Sequence, residues 1–176
     1  MVQIHPLLEP SDRPTMVDPQ NFRHALGCFA SGVTIVTSAG DGQGPVAVTV
    51  SAFSSLSLEP PLILVCLDNR TGSIAQFVEP SAGFAVNILA SDQRSLSEAF
   101  AGPQSYDLHG FAHSFGITGA PLFDGVAAAL SCRVHDVHDG GDHRIVVGRV
   151  EDVRVDRSKE PLVYFQSSYR GLSDPV

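Results

Sequence analysis

Basic residues are scarce in this sequence. It has 11 Lys and Arg against 19 Asp and Glu, which leaves a formal net charge of -8 at pH 7. A domain that binds DNA or RNA normally presents a basic face, so this composition argues against a nucleic-acid partner. It does not exclude an anionic small ligand, because backbone N–H groups and hydroxyls hold phosphate without net positive charge.

Cysteines and long apolar runs are also few. The three cysteines, Cys28, Cys66 and Cys132, are far apart and include no C-x-x-C pair, so no disulfide framework is expected. Their apolar neighbours predict buried, reduced thiols. The sequence starts with neither a basic segment followed by an apolar one nor a membrane-length run. We therefore expect no signal peptide and no membrane span, and a cytoplasmic location.

The length of 176 residues suits one domain with its own core. Residues 1–18 contain three prolines and little periodicity, and we interpret them as an N-terminal arm. Residues 19–176 form the predicted domain. It should begin with a helix capped by Asp18, with Phe22, Leu26 and Phe29 on one face.

The sequence patterns in the rest of the domain predict mostly strands. "GVTIVTSAG" and "PVAVTVSAF" predict a hairpin, and the continuously apolar "PPLILVCLD" predicts a third strand buried on both faces. Short helices are predicted in "TGSIAQFVEP" and in "SDQRSLSEAFAG", the latter capped by Ser91. Further strands are expected in "GFAVNIL", around the "DGGD" turn and in "EPLVYFQSSYRGL". Many strands with short turns and few helices favour a mainly β fold, an antiparallel barrel or sandwich.

Hydroxyl side chains cluster in "TVSAFSSLSLEPP", residues 49–61. Alternation along a strand puts Thr49 and Ser51 on one face. "SSLS" breaks the alternation and is predicted to leave the ladder, which would present Ser54, Ser55 and Ser57 at a barrel rim. Hydroxyls and N–H groups at a concave edge suit a phosphate or a ring heteroatom. From the spacing alone, a plain serine-rich turn remains the alternative.

Two other groups of residues could take part in chemistry. His135, His138 and His143 lie among aspartates, but a solvated turn is favoured over a metal site because residues three apart in a strand point to opposite faces. His143 starts an apolar strand and is expected to face a pocket. Tyr169 and Arg170 place an aromatic ring beside a guanidinium, which can cover a planar ligand, although a surface tail fits them equally well.

Taken together, these segments resemble the short-chain flavin reductase family, whose members are reductase components of two-component flavin monooxygenases. The resemblance covers residues 20–172. The segments that carry it are "FRHALGCFASGVTIVT", "AVTVSAFSSLSLEPPLILVCL", "FAVNIL", "GDHRIVVGRV" and "PLVYFQSSYRGL".

The resemblance implies a split β-barrel of Greek-key type, a homodimer with FMN or FAD at its interface, and reduction of that flavin by NADH or NADPH. It also implies a monooxygenase partner that accepts reduced flavin. His143 would face the nicotinamide and position the dinucleotide, without being an obligatory proton donor. Backbone N–H groups around residues 51–53 would stabilise charge developing on the reduced flavin.

The resemblance also assigns residues to parts of the flavin. The isoalloxazine edge would be lined by Thr49, Val50, Ser51 and Ala52. The ribityl chain and phosphate would be reached by Ser54, Ser55, Ser57, Cys66, Asp68, Asn69 and Ser73. The far side would be contacted by Phe100 and Ala101, and the ring covered by Tyr169 and Arg170.

Two competing functions remain open. One is a flavin-dependent oxidase of the wider split-barrel group, resembling pyridoxamine-phosphate oxidases. Those enzymes favour a basic phosphate site, whereas no Lys or Arg lies between Thr49 and Asp68. The other is a non-catalytic flavin- or haem-binding module, for which His143 is the candidate axial ligand.

Overall fold

The computed structural model describes residues 17–40, 44–71, 74–102, 108 and 110–172. Most of the expected N-terminal arm therefore lies outside the described residues. Within them the helices are α1 (Pro19–Gly27), α2 (Ala75–Val78) and α3 (Arg94–Ala99). The strands are β1 (Ser31–Gly32), β2 (Thr34–Ser38), β3 (Val46–Val50), β4 (Phe53–Ser57), β5 (Leu62–Asp68), β6 (Gly83–Ile88), β7 (His113–Phe115), β8 (Pro121–Phe123), β9 (Ala128–Gly140), β10 (His143–Val155), β11 (Val163–Phe165) and β12 (Ser168–Arg170).

The main sheet has seven antiparallel strands in the order β3-β2-β6-β9-β10-β5-β4. Its two edge strands, β3 and β4, follow each other in the chain with Ser51 and Ala52 between them. Because three residue steps span at most about 11 Å, the sheet must curl until its edges nearly meet. The amide of Cys66 donates to the carbonyl of Ala52 at this seam, 3.0 Å away. No ladder joins β3 to β4 in the described residues, so the barrel is open there.

Two smaller sheets cover the barrel. β11 pairs with β1 and β12, and β7 pairs with β8. The carbonyl of Leu162 accepts a hydrogen bond from the amide of Val33, 3.1 Å away. These contacts bring the C-terminal strands against the start of β2 and next to the seam.

The core lies on both faces of β2, which is buried along its whole length. Ile35 belongs to one apolar cluster, which also contains Phe100 and Phe123. Val36 belongs to the other, which surrounds Phe84. In the main sheet, β2 is thus buried on both faces, between β3 and β6.

The predicted hairpin β2–β3 and the strands around the "DGGD" turn are confirmed. The predicted start of α1 is also confirmed, since the Asp18 carboxylate accepts a hydrogen bond from the amide of Asn21 at 2.8 Å. Apolar side chains of α1 and of the residues just after it are exposed among the described residues. Phe22, Leu26 and Phe29 are 55%, 58% and 81% exposed.

The prediction that "SSLS" leaves the ladder was wrong. Ser54, Ser55 and Ser57 pair with Leu64, Ile63 and Leu62 in the edge strand β4. The ladder shifts register between Ser55 and Ser57, so Leu56 is the extra residue of a bulge. This bulge accounts for the broken alternation that the sequence displays.

Three other predictions were also wrong. β5 alternates between buried and half-buried residues, because its outer face borders clefts at the seam. Ser91 does not cap α3, which starts at Arg94 after Gln93. Cys28 is exposed and Cys66 is partly buried, so only Cys132 matches the expected burial.

None of the helices in the described ranges is long and apolar enough to span a bilayer.

Candidate functional site

Four clefts adjoin one another around the seam between β3 and β4. The central cleft, about 170 Å³, is lined by residues 48–52, residues 66–68, Thr71 and His143. The apolar cleft, about 690 Å³, shares Ser51, Ala52 and Cys66 with it and extends towards Leu26 and Phe29. The connection between β3 and β4 and the outer face of β5 at Cys66 therefore form a floor common to both.

The other two clefts open from the central cleft towards α3. The outer cleft, about 500 Å³, is lined by Val48, Thr49, Asp68, Arg70, Thr71, Ala101 and Gly102. The tyrosine cleft, about 150 Å³, is lined by Val33, Thr49, Ser51, Ser97, Ala101, Tyr164 and Tyr169. Thr49 borders the central, outer and tyrosine clefts alike.

Two hydrogen bonds hold Thr49 in place. Its amide donates to the carbonyl of Phe100 at 2.9 Å, and its hydroxyl donates to the carbonyl of Ser97 at 2.7 Å. Both acceptors belong to the C-terminal part of α3 or the residue after it. Helix α3 thus positions the edge strand that forms the floor of the clefts.

The backbone between β3 and β4 carries unused donors. The amides of Ser51 and Ala52 make no hydrogen bond within the described part of the chain. The amide of Phe53, by contrast, donates to the carbonyl of Ser51 at 3.0 Å. Since unpaired N–H groups bordering a cleft favour an acceptor atom on a ligand, the donors available here belong to residues 51 and 52.

A polar corner closes the central cleft where β5 meets the turn between β9 and β10. The amide of Asn69 donates to the carbonyl of Asp142 at 3.0 Å, and its side chain donates to the carbonyl of Gly141 at 3.1 Å. Nδ1 of His143 lies 2.7 Å from the Asp142 carboxylate. With Nδ1 engaged by a carboxylate, Nε2 is the ring nitrogen left for a ligand.

Asp68 and Arg70 form an ion pair at the border between the central and outer clefts. The Arg70 guanidinium contacts both carboxylate oxygens through Nε at 3.1 Å, and Nη2 lies 2.6 Å from Oδ2. The amide of Arg70 also donates to Oδ1 at 2.8 Å. These hydrogen bonds lower the pKa of Asp68 to about 2, so its carboxylate is charged throughout the physiological range.

Tyr169 covers the tyrosine cleft and is held from three sides. Its phenol oxygen lies 2.9 Å from the hydroxyl of Ser97. Its ring packs edge-on against Tyr164, with centroids 5.3 Å apart, and the Arg94 guanidinium lies 5.3 Å from its centroid. An aromatic ring fixed in this way offers a rigid wall to a planar ligand.

Comparison with known proteins identifies the family. A model of the flavin reductase like domain matches residues 26–173. The chain belongs to the flavin reductase like domain family.

Individual relatives agree with this assignment. The reductase component of 4-hydroxyphenylacetate 3-monooxygenase from Thermus thermophilus is 42% identical over 154 residues, covering 88% of this chain and 97% of the relative. The reductase subunit HsaB of a flavin-dependent monooxygenase from Rhodococcus jostii is 38% identical, covering 89% of this chain and 79% of the relative. The NADH:FAD oxidoreductase SgcE6 of Streptomyces globisporus, solved with NAD and FAD fragments, superposes with a TM-score of 0.83 at 30% identity, covering 92% of this chain and 98% of that one. The mainly β split-barrel fold expected of a flavin reductase is confirmed, with the seam left open in this chain.

Most residues assigned to the flavin reductase site from the sequence lie together. Those that line one or more of the four clefts are Thr49, Val50, Ser51, Ala52, Ser54, Cys66, Asp68, Ala101, His143 and Tyr169. They come from β3, β4, β5, β10 and β12, from the connection between β3 and β4, and from the segment after α3. The fold brings these residues, distant in sequence, around the same group of adjoining clefts.

The remaining assigned residues lie elsewhere. Phe100 is 1% exposed and stacks with Phe111 and Phe123, so its contribution to the site is the carbonyl that holds Thr49. Ser55 and Ser57 lie in β4 beyond the clefts, and Arg170 is exposed outside them. Asn69 shapes the polar corner without lining a cleft.

Two sequence predictions stay untested, namely the contact of Ser73 with the flavin phosphate and the absence of a metal site. Ser73 lies outside the described residues. No group of three or more His, Cys, Asp or Glu in the described ranges is placed to hold a metal ion.

Among the residues that line or support the clefts without having been assigned to the site from the sequence are Thr71, Arg94, Ser97 and Tyr164. Ser97 lay in a segment interpreted only as a helix, and its bond to Tyr169 joins residues 72 positions apart. Arg70 and Thr71 come shortly after β5, which ends at Asp68, and a polar segment after an apolar strand was the available signal.

Proposed function

We propose that this protein is an NAD(P)H-dependent flavin reductase that delivers reduced FMN or FAD to a monooxygenase. The observation that carries the proposal is the set of adjoining clefts floored by residues 49–52, with free amides at Ser51 and Ala52 and with His143 at one end. When bound together, the dinucleotide supplies a hydride from nicotinamide C4 and the flavin accepts it at N5.

The residues present fit a flavin. The amides of Ser51 and Ala52 suit the acceptor atoms of the isoalloxazine edge, and the half-buried Cys66 and Leu64 offer an apolar surface for the ring. The outer cleft has room for the ribityl phosphate beside the Thr71 hydroxyl and the Arg70 guanidinium. Fixed N–H donors also favour negative charge on the reduced ring, because they need no reorganisation during the reaction.

The chain's own task is to orient two flat molecules. Hydride transfer requires the reacting atoms to approach to about 3–3.5 Å, and no acid or nucleophile is needed for that step. His143 provides Nε2 to the dinucleotide because Asp142 holds Nδ1. Tyr169, fixed by Ser97, excludes water from the tyrosine cleft and limits the positions open to the nicotinamide.

The proposal includes a homodimer. Phe22 and Leu26 of α1, and Phe29 just after it, are exposed, and the last two also border the apolar cleft next to Ser51 and Ala52. A second copy packed on this face would cover the cleft and enclose the flavin. Mass measurement of Leu26→Asp should give a monomer with weakened flavin affinity, whereas a dimer of unchanged affinity would reject this interface.

The proposal also includes a partner protein and a cellular compartment. The Thermus thermophilus and Rhodococcus jostii relatives are reductase components or subunits of monooxygenases, which supports a monooxygenase as the acceptor of reduced flavin. Unpaired thiols at Cys28, Cys66 and Cys132 support a reducing compartment, and we place the protein in the cytoplasm.

Anaerobic oxidation of NADH and NADPH by the purified protein tests the proposal directly. We expect rapid oxidation of the dinucleotide that depends on added FMN or FAD. Reduction of the flavin should appear as a loss of its visible absorbance. No oxidation of either dinucleotide with either flavin would reject the reductase and leave a binding module. Oxidation of an organic amine with O₂ in place of NADH would indicate the oxidase alternative.

A further inference from the structure

The outer cleft contains a cation that is already neutralised. Among the described residues that line the four clefts, Arg70 is the one side chain with a permanent positive charge. Its partner Asp68 lines both the outer and the central cleft, and its side chain is 28% exposed. A ligand phosphate in the outer cleft therefore meets a guanidinium and a carboxylate side by side.

The geometry leaves part of the guanidinium free. Asp68 occupies Nε and Nη2, whereas Nη1 has no partner in the described part of the chain. A phosphate oxygen that binds Nη1 would share the guanidinium with the Asp68 carboxylate, whose negative charge already offsets that of the cation. The two anions then share one positive charge and repel each other, which weakens the binding of the phosphate.

We propose that the Asp68 carboxylate acts as a built-in competitor that lowers the affinity for the flavin phosphate, so that flavin exchanges as a substrate. This inference rests on the proposed function and assigns to Asp68 a role opposite to that of a phosphate ligand. Its chemistry applies to the phosphate monoester of FMN, which carries two negative charges near neutral pH and is absent from riboflavin.

The substitution Asp68→Asn removes the negative charge of this side chain while keeping its size and shape. An asparagine keeps the shape of the side chain, and its Oδ1 can still accept from the amide of Arg70, so the local turn is preserved. We expect Asp68→Asn to bind FMN about three- to tenfold more tightly than the wild type and riboflavin with unchanged affinity. Arg70→Gln should lower the affinity for FMN by a similar factor and should also leave the affinity for riboflavin unchanged.

Glu151→Gln is the matched control for net charge. The side chain of Glu151 is 25% exposed and pairs with Arg133 at 3.1 Å, much as Asp68 pairs with Arg70. It lies eight residues beyond His143 on β10, about 26 Å along the strand, and lines none of the four clefts. The FMN affinity of the Glu151→Gln variant should equal that of the wild type.

The inference is tested by measuring the dissociation constants of the full-length protein and its variants for FMN and riboflavin. Flavin fluorescence at low and high ionic strength gives these constants. The gain in Asp68→Asn should shrink at high salt, because screening weakens charge repulsion at an exposed site. Wild-type affinity for FMN in Asp68→Asn, or an equal gain for riboflavin, would overturn the inference while leaving the reductase proposal intact. Failure of the wild type to bind any flavin would instead reject the proposed function, and this inference with it.

Discussion

The hydroxyl oxygen of Ser97 lies 2.9 Å from the phenol oxygen of Tyr169, and the Ser97 residue is fully buried. The carbonyl of the same residue accepts the hydrogen bond from the Thr49 hydroxyl. One serine of α3 therefore connects the wall of the tyrosine cleft to the floor shared by three clefts. Its position determines how far apart the two surfaces stand.

Ser97→Ala should loosen Tyr169. Loss of one partly buried hydrogen bond costs about 0.5–1.5 kcal/mol, so we expect the KM for NADH to rise by roughly two- to tenfold with a smaller change in riboflavin affinity. Steady-state kinetics and flavin titration measure the two effects. Tyr169→Phe removes the same bond from the other side, and the double variant should be no worse than either single one. Additive losses would contradict the shared bond.

His143→Ala should impair use of the dinucleotide. Nε2 of His143 is the ring nitrogen left free by Asp142, so its removal should raise the KM for NADH more than it lowers flavin affinity. His135→Ala is the control, because His135 is exposed on β9 and lines none of the four clefts. An unchanged KM for NADH together with lost flavin binding in His143→Ala would reject this role.

Bound flavin should protect one cysteine from alkylation. Cys66 lines the central and apolar clefts, whereas Cys28 is exposed on the surface. Burial raises the pKa of the Cys66 thiol and raises that of Cys132 to about 12, so both should react more slowly than Cys28, and only at higher pH. Peptide mapping after iodoacetamide treatment should show Cys66 labelling that FMN suppresses. Equal labelling with and without FMN would place the flavin elsewhere.

Gly148→Ala should destabilise the barrel. A Cβ at residue 148 would lie 2.3 Å from Cζ of Phe84 and 3.1 Å from Cδ1 of Ile63, both in the core. Overpacking of this kind costs about 1–3 kcal/mol in the free energy of unfolding, measurable by urea denaturation. Gly171→Ala serves as the control, because a Cβ there meets nothing within 4 Å. Equal stability of the two variants would contradict the tight packing at Gly148.

The Asp68–Arg70 pair predicts a window of pH dependence. Arg70 lowers the pKa of Asp68 from 3.8 to about 2, so ionised Asp68 favours the folded state above about pH 4. That contribution is lost as the pH falls from about 4 to about 2, where the folded protein also takes up the proton. Comparing the pH dependence of unfolding for wild type and Asp68→Asn measures it, and the two curves should converge below pH 2.

Local patterns predicted much of this protein. Apolar and β-branched runs separated by glycine turns predict the hairpin β2–β3 and the long strands β9 and β10, because strand pairing across a short turn is a local event. Asp18 followed by Pro19 predicts the start of α1 for the same reason. The hydroxyl-rich segment and His143 drew attention to the site, since polar residues bordering apolar strands are visible in the sequence itself.

Only the tertiary structure decided how these parts meet. Curling of the sheet places β3 beside β5, which turns Thr49 and Cys66 into walls of one cleft, and no local pattern encodes that closure. Burial follows the position of a strand within the sheet, so β2 is buried on both faces and the more continuously apolar β5 is not. The bond between Ser97 and Tyr169 joins a helix to a strand 72 residues away, because packing of whole elements, and not the composition of either segment, brings the two hydroxyls together.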